Sequence, residues 1–185
     1  MDWPVIITIV LGSSLLGVIL NNVLGWLIKR NERANHATFI ALNLAHQFER
    51  YAYECLSVSE DHETAESSDG HAGVYINIIP KLHQLQDVDY RVFNLPILDK
   101  VFDFPQQIDF AQNSLSFAFE VLYGGDAVKE GYRSCLLLAR EALTIADAIR
   151  GKYKLEKRQL KFGEYSVRDR LREKLVKNKM ENKRG

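Results

Sequence analysis

The sequence predicts an all-α protein, in which an N-terminal transmembrane helix continues into a cytoplasmic three- or four-helix bundle with a long acidic loop. Residues 3–28 contain no charged side chain, and the segments that follow repeat apolar residues at helical spacing. The one strand-like segment, residues 74–79, ends at Pro80 and has no second strand to pair with. The length of 185 residues, 46% of them apolar, suits one folded domain and excludes a fully disordered chain.

The neutral total charge conceals two charged segments. The chain has 24 basic and 24 acidic residues, which gives a formal net charge of zero. Residues 59–130 hold 13 acidic and 4 basic residues, a net charge of −9, whereas residues 151–185 hold 13 basic and 5 acidic residues, a net charge of +8. A neutral total therefore does not argue against charged partners.

Residues 1–28 are predicted to be the transmembrane anchor. At about 1.5 Å per residue, the 26 uncharged positions would extend about 39 Å as a helix, which exceeds the ~30 Å hydrocarbon core. A cleaved signal peptide would carry a basic start, and this chain has Asp2 there instead. A soluble helix rarely runs this far without a charge, so the anchor is favoured over both alternatives.

The charges around the anchor predict its orientation. Lys29, Arg30 and Arg33 follow it directly, and no basic residue precedes it. By the positive-inside rule, the N-terminus lies outside and the rest of the chain is cytoplasmic, at the inner (plasma) membrane. The predicted partner of these three side chains is the surface of the lipid bilayer.

A stripe of small and polar residues recurs every four positions along the anchor, at Ser13, Gly17, Asn21 and Gly25. Small residues allow another helix to approach closely, and the amide of Asn21 can form a hydrogen bond across such an interface. The stripe predicts a homo-oligomer or a membrane protein partner. The alternative is that glycine and serine are simply common in membrane helices.

The cytoplasmic helical domain is assigned to residues 29–151. An amphipathic helix is expected to run to residue 58, followed by an acidic, turn-rich loop over 59–96. A short helix is expected at 97–102. A second long helix should begin at Asp103, which has capping-box spacing with Gln106.

This second helix has an evident apolar stripe, and Gly124-Gly125 separates it from the next helix, which should end at Gly151. A short connection makes the two helices an antiparallel hairpin. The predicted core stripe comprises Ile108, Ala111, Leu115, Ala118 and Leu122. Three further residues are expected to widen it, namely Phe110, Phe117 and Val121.

Residues 152–185 form a basic tail with a terminal helix, capped by Ser166 and carrying Val167, Leu171 and Leu175 in line. Three interpretations stay open. The tail contacts the anionic membrane surface through residues such as Arg168 and Arg172, it offsets the acidic middle segment, or it binds nucleic acid. Nucleic acid is the least favoured because no recognition motif is present.

No motif for catalysis or cofactor binding is present, so we expect no cofactor, no metal and no catalytic residue. The nearest candidate for a metal site is an acidic cluster. Because its residues have no fixed ligand spacing, a solvated loop is a better interpretation than a cation site. His46 and Glu49 lack the second pair that a di-iron bundle needs. Cys55 and Cys135 sit in apolar helical patterns, which indicates inert core thiols. The acidic cluster comprises Glu60, Asp61, His62, Glu63, Glu66, Asp69 and His71.

The order of these features resembles a set of uncharacterised bacterial single-pass membrane proteins with a cytoplasmic helical domain. The resemblance is carried by the Ser67–Gly73 stretch and by Leu138–Arg150, within residues 1–153. It implies no activity and no site residues. The predicted function is that of a membrane-anchored, non-enzymatic helical interaction module. The alternatives are a membrane-disrupting effector or toxin whose transmembrane helix oligomerises and, less favoured, a metal-dependent enzyme.

Overall fold

The computed structural model describes residues 3–83, 88–121, 124–157 and 165–181, without the side chains of 3–17, 124–126 and 179–181. The chain divides into two compact units, Met1–Phe39 and Ile40–Gly185. The first unit is the N-terminal part of a long helix, and the second unit holds the hydrophobic core.

The prediction of an all-α helical bundle is confirmed. The described residues form four α-helices and one 3₁₀ turn, and they contain no strand. Residues 74–79 lie in a loop and pair with no strand among the described residues, as predicted. The elements in chain order are α1 (Trp3–Ser67), the 3₁₀ turn (Tyr90–Val92), α2 (Leu95–Val121), α3 (Gly124–Tyr153) and α4 (Val167–Glu181).

The structure gives no support to the predicted membrane anchor at residues 1–28. In the part of the chain that it describes, no helix combines the length and the apolar character that are needed to cross a bilayer.

Within the second unit, α3 runs antiparallel to both α1 and α2. Near the end of α3, Tyr153 packs on Phe93 just before α2. Near its start, a Cβ on Gly131 would lie 3.0 Å from Leu115, close to the end of α2. The predicted antiparallel pairing of α2 and α3 is therefore confirmed, but Gly124 and Gly125 lie within the first turn of α3 rather than between the helices. Contacts from α3 to α1 show the same reversal, because Arg150 binds Glu49 whereas Tyr132 binds Glu63.

The core is lined by one face of each helix. Phe104 of α2 is fully buried and packs edge-on against Phe48 and Tyr51 of α1, with ring centroids 5.3 and 5.2 Å apart. Such pairs add about 0.5–1.5 kcal/mol to the stabilisation from burial. From the loop, Ile76 and Ile79 insert into this core, and the amide of Ile79 donates a 2.8 Å hydrogen bond to Gln112. The loop therefore acts as part of the core.

The prediction that a loop begins at residue 59 is wrong, because α1 continues to Ser67. The hydroxyls of Ser59 and Thr64 donate hydrogen bonds to carbonyls four residues earlier, which satisfies these polar side chains within the helix. The helix ends where Asp69 and Gly70 both adopt positive φ and the Gly70 amide bonds to the carbonyl of Ala65. The acidic composition of the segment concealed these local signals.

The predicted break between a short helix at 97–102 and a second helix starting at Asp103 is also wrong. One helix begins after Asn94, whose carbonyl accepts hydrogen bonds from the amides of Ile97 and Leu98. Pro105 is tolerated inside this helix. Asp103 does not cap a helix, because its carboxylate accepts a 2.6 Å hydrogen bond from Gln107 one turn later.

The ends of the last two helices follow local chemistry. α3 passes through Gly151 and ends two residues later than predicted, where Lys154 has a φ of 53° and the Leu155 amide bonds to the carbonyl of Arg150. The terminal helix α4 is confirmed. Ser166 caps it, with its hydroxyl accepting a 3.3 Å hydrogen bond from the amide of Asp169.

Candidate interaction surface

Helix α2 has two apolar faces, and only one of them enters the core. The buried face repeats at three- and four-residue intervals and packs against α1, α3 and the loop. Its members are Ile97, Val101, Phe104, Ile108, Ala111, Leu115 and Ala118.

The second apolar face is exposed, which corrects the prediction that Phe110, Phe117 and Val121 widen the core stripe. Phe110 follows the buried Ile108 by two residues, and that step rotates a side chain by about 200° around the helix. Phe117 has the same relation to Leu115, so both rings point away from the core. The exposed fractions on this face are 80% for Leu95, 52% for Phe102, 75% for Phe110, 64% for Phe117 and 61% for Val121.

Acidic side chains are interleaved with these exposed apolar residues. Asp103 precedes Phe110 by seven residues, and Asp109 follows Phe102 by seven, so each carboxylate lies within about 20° of its ring around the helix. Asp99 and Glu120 are exposed on the same face. We call this surface, Leu95 to Val121 with its carboxylates, the α2 outer face. The interleaved acids are the sequence signal that distinguishes it from the core stripe.

Helix α4 packs on α3 and the core, and it contacts α1 through charged side chains. The buried Lys174 ammonium donates a short hydrogen bond to Glu63, which also accepts a 2.7 Å bond from the Tyr132 hydroxyl. Burial would raise the pKa of Glu63, but the hydrogen bonds from Lys174 and Tyr132 outweigh it and lower that pKa. Leu171 is the buried apolar contact of the helix. α4, the described helix of the basic tail, thus packs onto acidic side chains of the bundle.

Of the two tail arginines predicted to contact the membrane surface, Arg168 forms two hydrogen bonds with Asp147 of α3, at 2.6 and 2.8 Å. Arg172 is more exposed and lies 3.5 Å from Asp169 on its own helix. Arg170 approaches Glu60 at 3.9 Å. Exposed pairs of this kind contribute little each, about 0–1 kcal/mol.

The His46–Glu49 pair has a structural partner that the sequence did not reveal. Glu49 accepts hydrogen bonds of 2.7 and 2.9 Å from the buried guanidinium of Arg150, and the Nδ1 of His46 lies 3.4 Å from Glu49. The hydrogen bonds to Glu49 raise the pKa of Arg150. Arg150 also donates to the carbonyl of Glu156 beyond the helix end. This carboxylate therefore connects α1 to the end of α3.

The predicted acidic cluster is spread over a helix and a turn rather than gathered around one point. Among the residues described, no group of three or more His, Cys, Asp or Glu side chains is arranged to hold a metal ion. Glu63 faces α4, whereas His62 is buried between the rings of Tyr75 and Tyr132. Burial lowers the pKa of His62, against the opposing attraction of Glu66 and Glu63.

Both cysteines are fully buried in the core, as predicted. Burial, and then a hydrogen bond with Cys135, raise the pKa of the Cys55 thiol well above its ordinary value. A thiol in this environment is a poor nucleophile.

The described part of the N-terminal unit is a helix with exposed side chains. Asn21 is exposed, and a Cβ on Gly25 would meet nothing within 4 Å. The Ser13 side chain and the surroundings of Gly17 lie outside what the structure describes, so the predicted packing stripe is described only at Asn21 and Gly25. Apolar side chains from Val18 to Ile28 are also exposed, between 47% and 60%.

The basic residues after this segment are exposed, as a surface role requires. Lys29 and Arg33 extend from the helix, and the guanidinium of Arg30 lies 5.2 Å from the centre of the Trp26 ring.

Described residues of the bundle line two shallow depressions, and neither gathers groups suited to catalysis. One, of about 490 Å³, is lined mainly by apolar residues of α1 and the following loop, including Tyr53, Val74 and Ile78. The other, of about 600 Å³, lies between the acids of α1 and the bases of α4 and belongs to the ion-pair network that holds α4. The α2 outer face is therefore the most distinctive candidate surface.

No family model, curated protein sequence or solved structure matches this chain. Its function must be inferred from its own geometry.

Proposed function

We propose that this protein is a non-enzymatic helical interaction module, tethered to the membrane by residues 1–28, that binds another protein through the α2 outer face. One observation carries the proposal. Five large apolar side chains are exposed in a row on one face of a helix whose opposite face is buried in the core. Large apolar side chains that share one exposed face of a helix are typical of interaction sites.

The shape of the α2 outer face favours a helical partner. From Leu95 to Val121 it extends for about 39 Å along a single helix. It is a convex ridge rather than a concave pocket, so it suits a groove or a second helix better than a small ligand. Three exposed phenylalanine rings belong to the aromatic residues that are enriched at protein interfaces.

Membrane attachment is supported by sequence rather than by tertiary contacts. Residues 3–28 contain no charge, and the apolar side chains described within them are exposed. Lys29, Arg30 and Arg33 supply a basic stop that would hold the bundle on the cytoplasmic side. The corresponding test is extraction of isolated membranes at alkaline pH, where an integral protein stays with the lipid. A C-terminal reporter that is active only in the periplasm would contradict the orientation.

The experiment that tests the interaction is affinity purification of the full chain from cross-linked native membranes. We expect specific co-purifying proteins with the wild type and their loss with the double substitution Phe110→Ser and Phe117→Ser. The matched control is Arg140→Ala, an exposed position on α3 that should keep every partner. Identical partner sets for all three proteins would refute the proposal.

The alternative function of a membrane-disrupting effector makes a different prediction in the same strains. Induced expression would then depolarise the cells, and the phenylalanine substitutions would have no effect on that depolarisation. Under our proposal, membrane potential is unchanged by expression.

A further inference from the structure

The charges of the α2 outer face point to the chemistry of its partner. α2 carries four exposed carboxylates, Asp99, Asp103, Asp109 and Glu120, and one exposed ammonium, Lys100. At about 100° per residue, Lys100 is displaced by about 160° from Phe102 around the helix, so it lies outside the row of exposed apolar residues. The carboxylates, in contrast, are interleaved with that row. The surface offered to a partner is therefore apolar and acidic.

These carboxylates are not neutralised by the bundle itself. Of the ion pairs formed by the described residues, none involves Asp99, Asp109 or Glu120, although Glu49, Glu63 and other acids of the protein are paired. Asp103 accepts a hydrogen bond from Gln107, which is uncharged. The acids that hold the fold together and the acids of the α2 outer face are thus separate sets.

From this we infer that the α2 outer face binds a basic amphipathic helix of another protein, whose apolar residues cover the phenylalanine rings and whose lysines or arginines pair with the flanking carboxylates. The inference rests on the proposed function and names its partner class. Charge complementarity of this kind steers association and selects among partners of similar apolar character.

The same charges argue against two other occupants. A second copy of this chain would bring the acidic faces of two α2 helices together, and like charges across an interface cost free energy. An anionic bilayer would repel a surface that has no basic residue within its apolar row, whereas membrane-binding helices carry lysine or arginine beside theirs. A basic helix is the occupant that satisfies both components of the surface.

A fluorescence titration of the full chain in neutral phosphatidylcholine nanodiscs tests this inference. The substitution Phe117→Cys supplies a single reactive position for an environment-sensitive dye, because Cys55 and Cys135 are buried. The first probe is a synthetic 18-residue amphipathic peptide with leucines on one face and lysines beside them. The other probes are the same peptide with glutamates for the lysines, phosphatidylglycerol vesicles, and unlabelled protein.

We expect the lysine peptide to cause a saturable blue shift and to bind at least 10-fold more tightly than the glutamate peptide. Vesicles and unlabelled protein should cause no shift. Raising the salt concentration from 50 to 300 mM should weaken this binding several-fold. The triple substitution Asp99→Asn, Asp109→Asn and Glu120→Gln should reduce the preference for lysine to less than 3-fold. A dye at Arg140→Cys should report no shift.

The outcomes separate the inference from the proposed function. If both peptides bind equally well and Phe110→Ser abolishes their binding, the α2 outer face is a binding surface. The inference that its partner is basic would then be overturned. A shift with vesicles or with unlabelled protein would overturn the partner class in favour of lipid or a second copy. Two results together would overturn both the inference and the proposed function. No probe would shift the dye, and the protein with Phe110→Ser and Phe117→Ser would co-purify with the same partners as the wild type.

Discussion

Phe104 and Phe110 have the same side chain, one on each face of α2, and replacing each with alanine is expected to change the free energy of unfolding very differently. Phe104 is fully buried and contacts the rings of Phe48 and Tyr51. Phe110 is 75% exposed. The comparison isolates the position of the ring, because the helix and the chemical change are the same.

The expected magnitudes follow from burial. Removing a phenylalanine ring from a core costs about 3–5 kcal/mol, since the lost burial is accompanied by a cavity. Only about a quarter of the Phe110 surface is covered, and full burial of such a side chain is worth about 1.5–3 kcal/mol, so its loss costs about 0.5 kcal/mol. Alanine has a higher helix propensity than phenylalanine by about 0.5 kcal/mol. The two effects nearly cancel for Phe110→Ala.

Urea unfolding of the full chain in mild detergent, followed by circular dichroism at 222 nm, measures both changes. With a slope of about 1–3 kcal/mol per molar urea, Phe104→Ala should lower the midpoint by at least about 1 M. Phe110→Ala should leave it within about 0.3 M of the wild type. A comparable loss of stability in the two variants would show that Phe110 is packed in the core and would refute the exposed face.

Three further predictions concern the bundle. The pKa of His62 is lowered in the folded state, so the unfolded chain binds more protons below about pH 6.5. The free energy of unfolding should therefore fall from pH 6.5 to 5, by at most about 1.4 kcal/mol per pH unit. The substitution His62→Phe should flatten this slope. Glu63→Gln should weaken the attachment of α4 by about 1–2 kcal/mol, because Lys174 is left buried beside a neutral partner. The rate of amide hydrogen exchange in α4 should rise accordingly. Cys55 and Cys135 should resist alkylation in the native protein and react fully in denaturant.

Each of these has an outcome that contradicts it. A His62→Phe variant with the wild-type pH profile would show that another group titrates in that range. Unchanged exchange in α4 after Glu63→Gln would mean that Leu171 and its apolar neighbours, rather than charge, hold this helix. Arg172→Gln is the matched control, because its exposed pair with Asp169 lies within α4. Rapid native alkylation of either thiol would contradict a closed core.

Several elements of the bundle were predictable because their signals are local. The Ser166 cap and the Val167, Leu171 and Leu175 stripe predict α4, and periodic apolar residues predict α3 and the first core-facing stretch of α1. Helix ends were less predictable. α3 passes through Gly151 and ends at Tyr153, where Lys154 adopts a left-handed conformation that its residue type does not predict.

The α2 outer face was missed because apolar periodicity does not identify which stripe is buried. Phe110 and Phe117 repeat at seven residues as regularly as Ile108 and Leu115 do. Only the positions of neighbouring acids differ between the two faces, and the interleaved acids mark the exposed one. The partners of Glu49 and Glu63 were also beyond reach, since Arg150 and Lys174 are more than 100 residues away along the chain.

The most direct test of the α2 outer face as the functional surface is site-specific photo-cross-linking in living cells. A photoreactive phenylalanine analogue placed at position 110 should yield a discrete protein adduct, and mass spectrometry should locate the attached segment in a basic amphipathic helix of another protein. The same analogue at the exposed control position 140 should yield no such adduct. An adduct with lipid, an adduct with a second α2, or no adduct at position 110 would contradict the account.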